Sequence, residues 1–183
     1  DAYGLRNELS IGSVGIMGCS RSGNFAMQNS DLILVLGNRL NSMVVGEKCQ
    51  FAREAKVIVV DIDEVEHSKC SVDIDRLILS DIKEFFRLLQ KEKIKSANKD
   101  WVKKCLHWKD IFPKTEERYK SVERVDLYDL SEKLSNVLPS ECSIVTDSGL
   151  IELILPSNMS LNNNQRSIHP ASQGCMGVVL PAI

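Results

Sequence analysis

Asp31-Leu32-Ile33-Leu34-Val35-Leu36-Gly37 is a short unbroken apolar run closed by glycine, and Lys56-Val57-Ile58-Val59-Val60-Asp61 repeats it with more β-branched residues. Such runs, without polar alternation, predict strands buried on both faces of a parallel sheet. A third, weaker run, Arg76-Leu77-Ile78-Leu79, leads to Asp81 at a helix N-cap position, after which Ile82, Phe85, Phe86 and Leu89 share one helical face. Strand, connection, strand, connection, strand and helix spell an α/β fold with a parallel sheet.

Beyond this block the composition shifts to lysine and glutamate. Lys91, Lys93, Lys95, Lys99, Lys103 and Lys104 are interrupted by Glu92 and Asp100, which reads as a solvated helix and linker surface. Trp101, Cys105 and Trp108 share one face of that helix and read as packing residues. A second α/β unit follows. Leu127, Leu130, Leu134 and Val137 form a helical stripe ending at Pro139, and Ser143-Ile144-Val145-Thr146 is a strand that delivers Asp147-Ser148-Gly149 at its carboxyl end. After a polar loop from Asn158 to Asn164, His169-Pro170-Ala171-Ser172-Gln173-Gly174-Cys175-Met176-Gly177 is a turn-rich approach to a new apolar segment.

The charges nearly cancel, with 23 Lys+Arg against 25 Asp+Glu in 183 residues, a balance that argues against a nucleic-acid binder working through a broad basic surface. Hydrophobic residues at 43% and charged residues at 26% place the chain among globular proteins. No apolar run approaches the ~18 residues of a membrane span, and the N-terminus lacks the layout of a signal peptide, so the expected location is cytoplasmic and no membrane partner is expected. The six cysteines are scattered singly and read as reduced thiols. The chain starts without Met and stops on Leu180-Pro181-Ala182-Ile183, which suggests a piece of something longer.

Ligands of parallel sheets bind beyond the carboxyl ends of strands, where helix N-termini and backbone N–H groups converge. That rule selects Gly37-Asn38-Arg39, Asp61-Ile62-Asp63, Asp81 and Asp147-Ser148-Gly149. Gly37 lets a backbone approach a ligand, Arg39 suits phosphate, and an acid such as Asp61 suits ribose hydroxyls. Each acid also reads as a helix cap. Gly12, Gly15, Gly18 and Gly23 do not fit a dinucleotide fingerprint, no Ser/His/Asp combination is readable from His67, His107 and His169, and Cys19 and Cys175 read as inert thiols.

Taken in order, Gly15-Ile16-Met17-Gly18, Arg21-x-Gly23-Asn24-x-Ala26, Asp31 to Leu40, Phe51-Ala52-Arg53-Glu54-Ala55-Lys56 and Val60-Asp61-Ile62-Asp63 resemble the central domain of thiamine-diphosphate-dependent enzymes. Within that family they are most similar to the acetolactate synthase large subunit and its relatives in bacterial surface-sugar pathways. Val145-Thr146-Asp147-Ser148-Gly149 and Gly174-Cys175-Met176-Gly177-Val178-Val179-Leu180-Pro181-Ala182 resemble the opening of that family's C-terminal, diphosphate-binding domain. The resemblance implies a nucleotide-binding-like central domain, six-stranded in the family and incomplete here, over residues 1–95, then a helical linker over 96–123 and the start of a second α/β domain over 124–183.

It implies further that Gly149, Leu150 and Ile151 meet the diphosphate of thiamine diphosphate, that Gly174 holds the aminopyrimidine amine, and that Met176 is the wedge bending the cofactor. In flavin-containing members, positions matching Gly37, Arg39, Asp61 and Asp81 contact FAD; other members hold ADP or nothing there. The family's glutamate lies in a pyrimidine-binding domain and its Mg²⁺ motif should follow Ile183, so neither a catalytic residue nor a metal ligand is expected within this chain. Where members carry Gln and His after Asp-x-Gly, this sequence has Leu150 and Ile151. The implied activity is decarboxylation of a 2-oxo acid such as pyruvate, or transfer of the resulting carbanion, in a homodimer or homotetramer, with the isolated chain inactive. The alternative is a nucleotide-binding or interaction module without catalysis. A sirtuin-like deacylase is set aside because His67-Ser68, His107-Trp108 and His169-Pro170 supply no His-Gly context.

Overall fold

A computed structural model describes residues 6–96, 98–119, 123–170 and 174–182. In chain order the elements are α1 (Arg21–Gln28), β1 (Leu32–Leu36), α2 (Ser42–Val45), β2 (Lys56–Asp61), α3 (Glu64–His67), β3 (Arg76–Leu79), α4 (Ile82–Leu89), α5 (Lys99–Ile111), α6 (Leu127–Val137), β4 (Cys142–Val145), α7 (Leu150–Asn158), β5 (Gln165–Ile168) and α8 (Val179–Ala182). They divide into two compact units: Phe25–Lys104, and the described residues up to Asn24 together with those from Cys105 on.

The first unit carries the parallel sheet that the apolar runs predict, in the order β1-β2-β3. Leu34 stands opposite Ile58, and Val60 opposite Ile78. The central strand is buried deepest, with Val59 and Val60 fully covered, each contributing roughly 1.5–3 kcal/mol through burial of a large aliphatic side chain. Val35, Leu40, Val45, Phe51, Ala52, Val57, Val59 and Val72 form the core, and Met27, Ile33 and Leu77 pack against it. One expectation is corrected at β1. Because side chains alternate along a strand, Ile33 and Val35 face the core while Leu32 and Leu34 remain 53% and 43% exposed. An apolar run does not by itself show that both of its faces are covered.

Asp81 caps α4 as expected, its carboxylate accepting from the N–H of Lys83 at 2.7 Å. Ile82, Phe85 and Leu89 are half-buried, whereas Phe86 is exposed and meets Phe85 edge-on. On α5 both Cys105 and Trp108 are buried, in line with the packing reading.

In the second unit β4 and β5 pair in parallel, Ile144 opposite Ser167, and α6 packs on α7. Asp126 caps α6 through the N–H groups of Tyr128 and Asp129. The deepest face of α6 is not its apolar stripe. Ser131 and Ser135 are buried, whereas Leu127, Leu130 and Leu134 are half-buried and Val137 is exposed. Each serine hydroxyl donates to the carbonyl four residues back at 2.7 Å, which satisfies it inside the helix and leaves a thin surface. Ser135 then accepts from the N–H of Ser160, just past α7.

Candidate functional site

In the Phe25–Lys104 unit the strand ends are β1 to Gly37, β2 to Asp61 and β3 to Asp81. Gly37 has φ +56°, a conformation that favours glycine, donates to the Val60 carbonyl at 2.9 Å, and would place a Cβ 2.7 Å from Cδ1 of Ile82, the movable end of a side chain. Three residues on, Leu40 is buried with φ +50°, a conformation costing an L-residue about 1–2 kcal/mol. Its N–H is held by the Asn38 side chain at 2.8 Å. Between them Arg39 is exposed, and its guanidinium has no hydrogen bond or ion pair among the described residues. Its carbonyl accepts from Lys69, which also pairs with Glu66.

The acids at these ends do different work. Asp63 caps α3 and Asp81 caps α4. Asp61 instead accepts from the N–H groups of Ile62 at 2.7 Å and Asp63 at 3.1 Å, while its other oxygen lies 3.1 Å from Nε2 of the buried His67. Desolvation pushes the Asp61 carboxyl up, but the His67 contact and the two backbone N–H groups outweigh it and hold the group below the usual aspartate range. With about four acceptor positions on a carboxylate, three are taken. Among the described residues the Arg39 guanidinium is unpaired, Asp81 uses one oxygen on its cap, and Asp61 keeps one acceptor position.

In the second unit β4 leads through Thr146 to Asp147, Ser148 and Gly149, and α7 begins at Leu150. Asp147 accepts from the N–H of Ser148 at 2.9 Å and from the N–H of Gly177 at 2.8 and 3.0 Å. These backbone donors, Ser148 first and Gly177 next, with Val178 adding to them against slight desolvation, hold its carboxyl below the ordinary aspartate range. One side chain thus ties the strand-end loop to the turn that follows β5. It brings Gly149, Leu150 and Ile151 to the same end of the unit as Gly174 and Met176.

Gly149 and Gly174 have φ of +115° and +58°, and a Cβ on either would meet nothing within 4 Å, so open space lies over both backbones. Gly149 caps α7 without a side-chain acceptor, and the first N–H groups of any helix lack intrahelical partners. An open backbone, orphan N–H groups and the positive end of a nine-residue helix fit an anionic group. Leu150 is 59% and Met176 88% exposed, which fits apolar contact with a ligand or another chain segment. Glu152, in the first turn of α7, is buried, with its carboxylate 3.7 Å from Nδ1 of His169 at the end of β5. Sequence reasoning did not single it out. Its signal was an acid inside the apolar stretch Leu150-Ile151-Glu152-Leu153-Ile154-Leu155.

The glycine segment preceding α1 is built against α7. A Cβ on Gly18 would lie 2.9 Å from the backbone of Leu153, and the Gly18 carbonyl accepts from the buried Asn158 side chain at 2.5 Å. Asn24 brackets Gly15, accepting from its N–H at 3.1 Å and donating to its carbonyl at 2.8 Å. Ile16 and Met17 are left exposed between these anchors. Among the described residues no group of three or more His, Cys, Asp or Glu could hold a metal ion. None of their helices is long and apolar enough to cross a membrane.

Residues 1–89 match the family described as thiamine pyrophosphate enzyme, central domain. The acetolactate synthase large subunit of Lactococcus lactis subsp. lactis is 31% identical over 179 residues, covering 97% of this chain and 30% of that protein. The isozyme 2 large subunit of Escherichia coli is 27% identical over 172 residues, covering 94% and 30%, and a probable acetolactate synthase large subunit of Methanocaldococcus jannaschii is 27% identical over 186, covering 95% and 30%. The chain therefore spans about three-tenths of the length of these relatives.

Proposed function

We infer from one fact, that this chain belongs to the thiamine pyrophosphate enzyme family through the central domain matched over residues 1–89, that the protein is part of a thiamine-diphosphate-dependent enzyme of the acetolactate synthase type. The parent enzyme decarboxylates a 2-oxo acid such as pyruvate, joins the resulting fragment to an acceptor, or does both. Thiamine diphosphate supplies the nucleophilic carbon for this chemistry when bound, with Mg²⁺ anchoring its diphosphate through ligands outside this chain. Gly149 leaves room for the diphosphate, and the N–H groups of Leu150 and Ile151 at the head of α7 bind it. The Gly174 carbonyl would hold the aminopyrimidine amine, and the exposed Met176 would be the apolar wedge against the cofactor. Asp147 is a positioning residue: it holds the Gly177 turn, and so the Gly174–Met176 segment, against the α7 loop.

On the sheet of the Phe25–Lys104 unit, Gly37, Arg39, Asp61 and Asp81 form the seat of a nucleotide, FAD or ADP. The family boundaries are 1–95, 96–123 and 124–183. The working assembly is a cytoplasmic homodimer or homotetramer. Within the chain the Asp147 bridge supports this reading, because it joins two segments that the resemblance separately implies for one cofactor.

The test is pyruvate consumption with thiamine diphosphate and Mg²⁺, run on residues 1–183 alone and on the protein expressed with its flanking sequence. Turnover only with the flanking sequence supports the reading; turnover by residues 1–183 alone contradicts it. A second reading, a nucleotide-binding module without catalysis, draws on the unpaired Arg39 beside the strained Leu40. It is favoured if calorimetry detects FAD, ADP or NAD binding while no 2-oxo acid is consumed.

A further inference from the structure

The second unit contains a cavity of about 940 Å³ whose wall includes Lys109, Lys114, Thr115, Ser157, Asn158 and Ser160. It adjoins the C-terminal end of α7, whereas Gly149 stands at the other end of that nine-residue helix, roughly 13 Å away at 1.5 Å per residue. None of Asp147, Gly149, Gly174 or Met176 lines it, so it is separate from the cofactor loops. We propose that this cavity is a binding site for a small oxyanion, a carboxylate or a phosphate, held by the ammonium groups of Lys109 and Lys114 and the hydroxyl of Thr115.

Unneutralised charge is the first reason. Lys114 donates to the carbonyl of Asn158 and Lys109 to that of Ser10, each at 2.7 Å, and Arg6 donates to the carbonyls of Ser160 and Ser135 at 3.0 Å. None of these cations forms an ion pair among the described residues. Of the acids on the same wall, two are committed elsewhere, and Glu132 lies within electrostatic reach of Lys114 without pairing with it. Glu116 pairs with Arg21 and Arg118, Asp126 caps α6, and Glu132 makes no ion pair among the described residues. Burial holds the Lys114 ammonium below the ordinary lysine value; Glu132 opposes that shift and the nearby Lys109 adds to it. An anion between the two lysines would reverse that penalty.

The second reason is independent of charge. Thr115 is 5% exposed, and its Oγ1 has no hydrogen-bond partner among the described residues, which is uncommon for a buried hydroxyl. A ligand oxygen would satisfy it. Capping of the α7 C-terminus explains one N–H of Lys114 but neither its other two donors nor Thr115. The cavity reading does not depend on the cofactor reading, and its test uses no thiamine diphosphate.

The probes are sodium phosphate and sodium acetate, each titrated against chloride at fixed ionic strength and pH while amide shifts are followed by heteronuclear NMR. Saturable shifts centred on Lys109, Lys114 and Thr115 are expected with one probe or both, and which probe saturates identifies the anion class. Lys114→Met should weaken the binding roughly ten- to a hundredfold, the scale of losing one charge-assisted hydrogen bond. Lys133→Met, at an exposed lysine paired with Asp129, should leave it unchanged. If Lys114→Met loses its dispersed spectrum, Thr115→Val is read in its place, with weaker binding expected. No saturable shift with either probe, or binding unaffected in the variant that is read, overturns the proposal and leaves Lys114 a helix cap only.

Discussion

Replacing Gly18 by alanine should unfold the second unit far more readily than the same change at Gly174, although both glycines have left-handed backbones, with φ +72° and +58°. Conformation alone costs either alanine about 1–2 kcal/mol. At Gly174 the new methyl meets nothing within 4 Å, so that is the whole expected cost. At Gly18 the methyl lies 2.9 Å from both the carbonyl carbon and oxygen of Leu153 and 3.1 Å from the N–H nitrogen of Ile154. Those atoms belong to the backbone of α7 and cannot rotate away as a side chain could. Relief requires the glycine segment to lift from the helix, which strains the Asn158 to Gly18 hydrogen bond and adds about 1–3 kcal/mol of overpacking. The expected totals are therefore roughly 2–5 kcal/mol for Gly18→Ala and about 1–2 kcal/mol for Gly174→Ala. Urea unfolding followed by far-ultraviolet circular dichroism reads both, with the two units allowed separate transitions. Equal destabilisation of the two variants would falsify the claim that the glycine segment is seated on the α7 backbone.

Further outcomes follow from other contacts. Ser131→Leu should cost about 1–3 kcal/mol in the same unfolding assay, because Ser131 is fully buried on the α6 face it shares with Ser135, and Ser131→Ala should cost much less. Asp147 has a depressed folded-state pKa, so its stabilisation is complete above the unfolded-state aspartate value and is lost as pH falls through the folded value. An acid titration of stability should show that loss, and Asp147→Asn should flatten it. Asp81→Asn should keep the α4 cap and the unfolding midpoint, since asparagine caps as well as aspartate. If Asp81 also holds a nucleotide as a carboxylate, calorimetric affinity for ADP should fall in that variant, and unchanged affinity would assign Asp81 to capping alone.

What could be read from residues in order was what neighbours in order determine. The β1, β2 and β3 runs were legible because a parallel strand is specified by its own apolar continuity, and Asp81 because a cap bonds to an N–H two residues ahead. The Asp147 role was only half legible. Its place at a strand end showed in Val145-Thr146-Asp147, but its partner is Gly177, thirty residues on, and only the parallel pairing of β4 with β5 brings the two together. Asp61 was legible as an acid at a strand end, but not as the partner of a buried His67. The burial of Ser131 and Ser135 was hidden because hydropathy ranks leucine above a serine whose hydroxyl is satisfied within its own helix. The cavity left no local trace, since its wall joins Ser10 to Lys109 and Lys114 to Asn158. Nothing local in residues 6–24 shows that they pack with the residues from Cys105 on.

The central claim is that the loop opening α7 is the seat of a diphosphate. Equilibrium binding of thiamine diphosphate with Mg²⁺, measured by calorimetry on the protein expressed with its flanking sequence, tests it most directly when Gly149→Val is compared with the unaltered protein. A valine side chain would fill the space that is now open over Gly149, at a φ of +115° that valine resists. The expected result is saturable binding by the unaltered protein and at least a roughly tenfold loss in Gly149→Val, about 1.4 kcal/mol, with the ADP affinity of the sheet in the Phe25–Lys104 unit unchanged. Equal thiamine diphosphate affinity in the two proteins, or no binding by the unaltered protein, would contradict it.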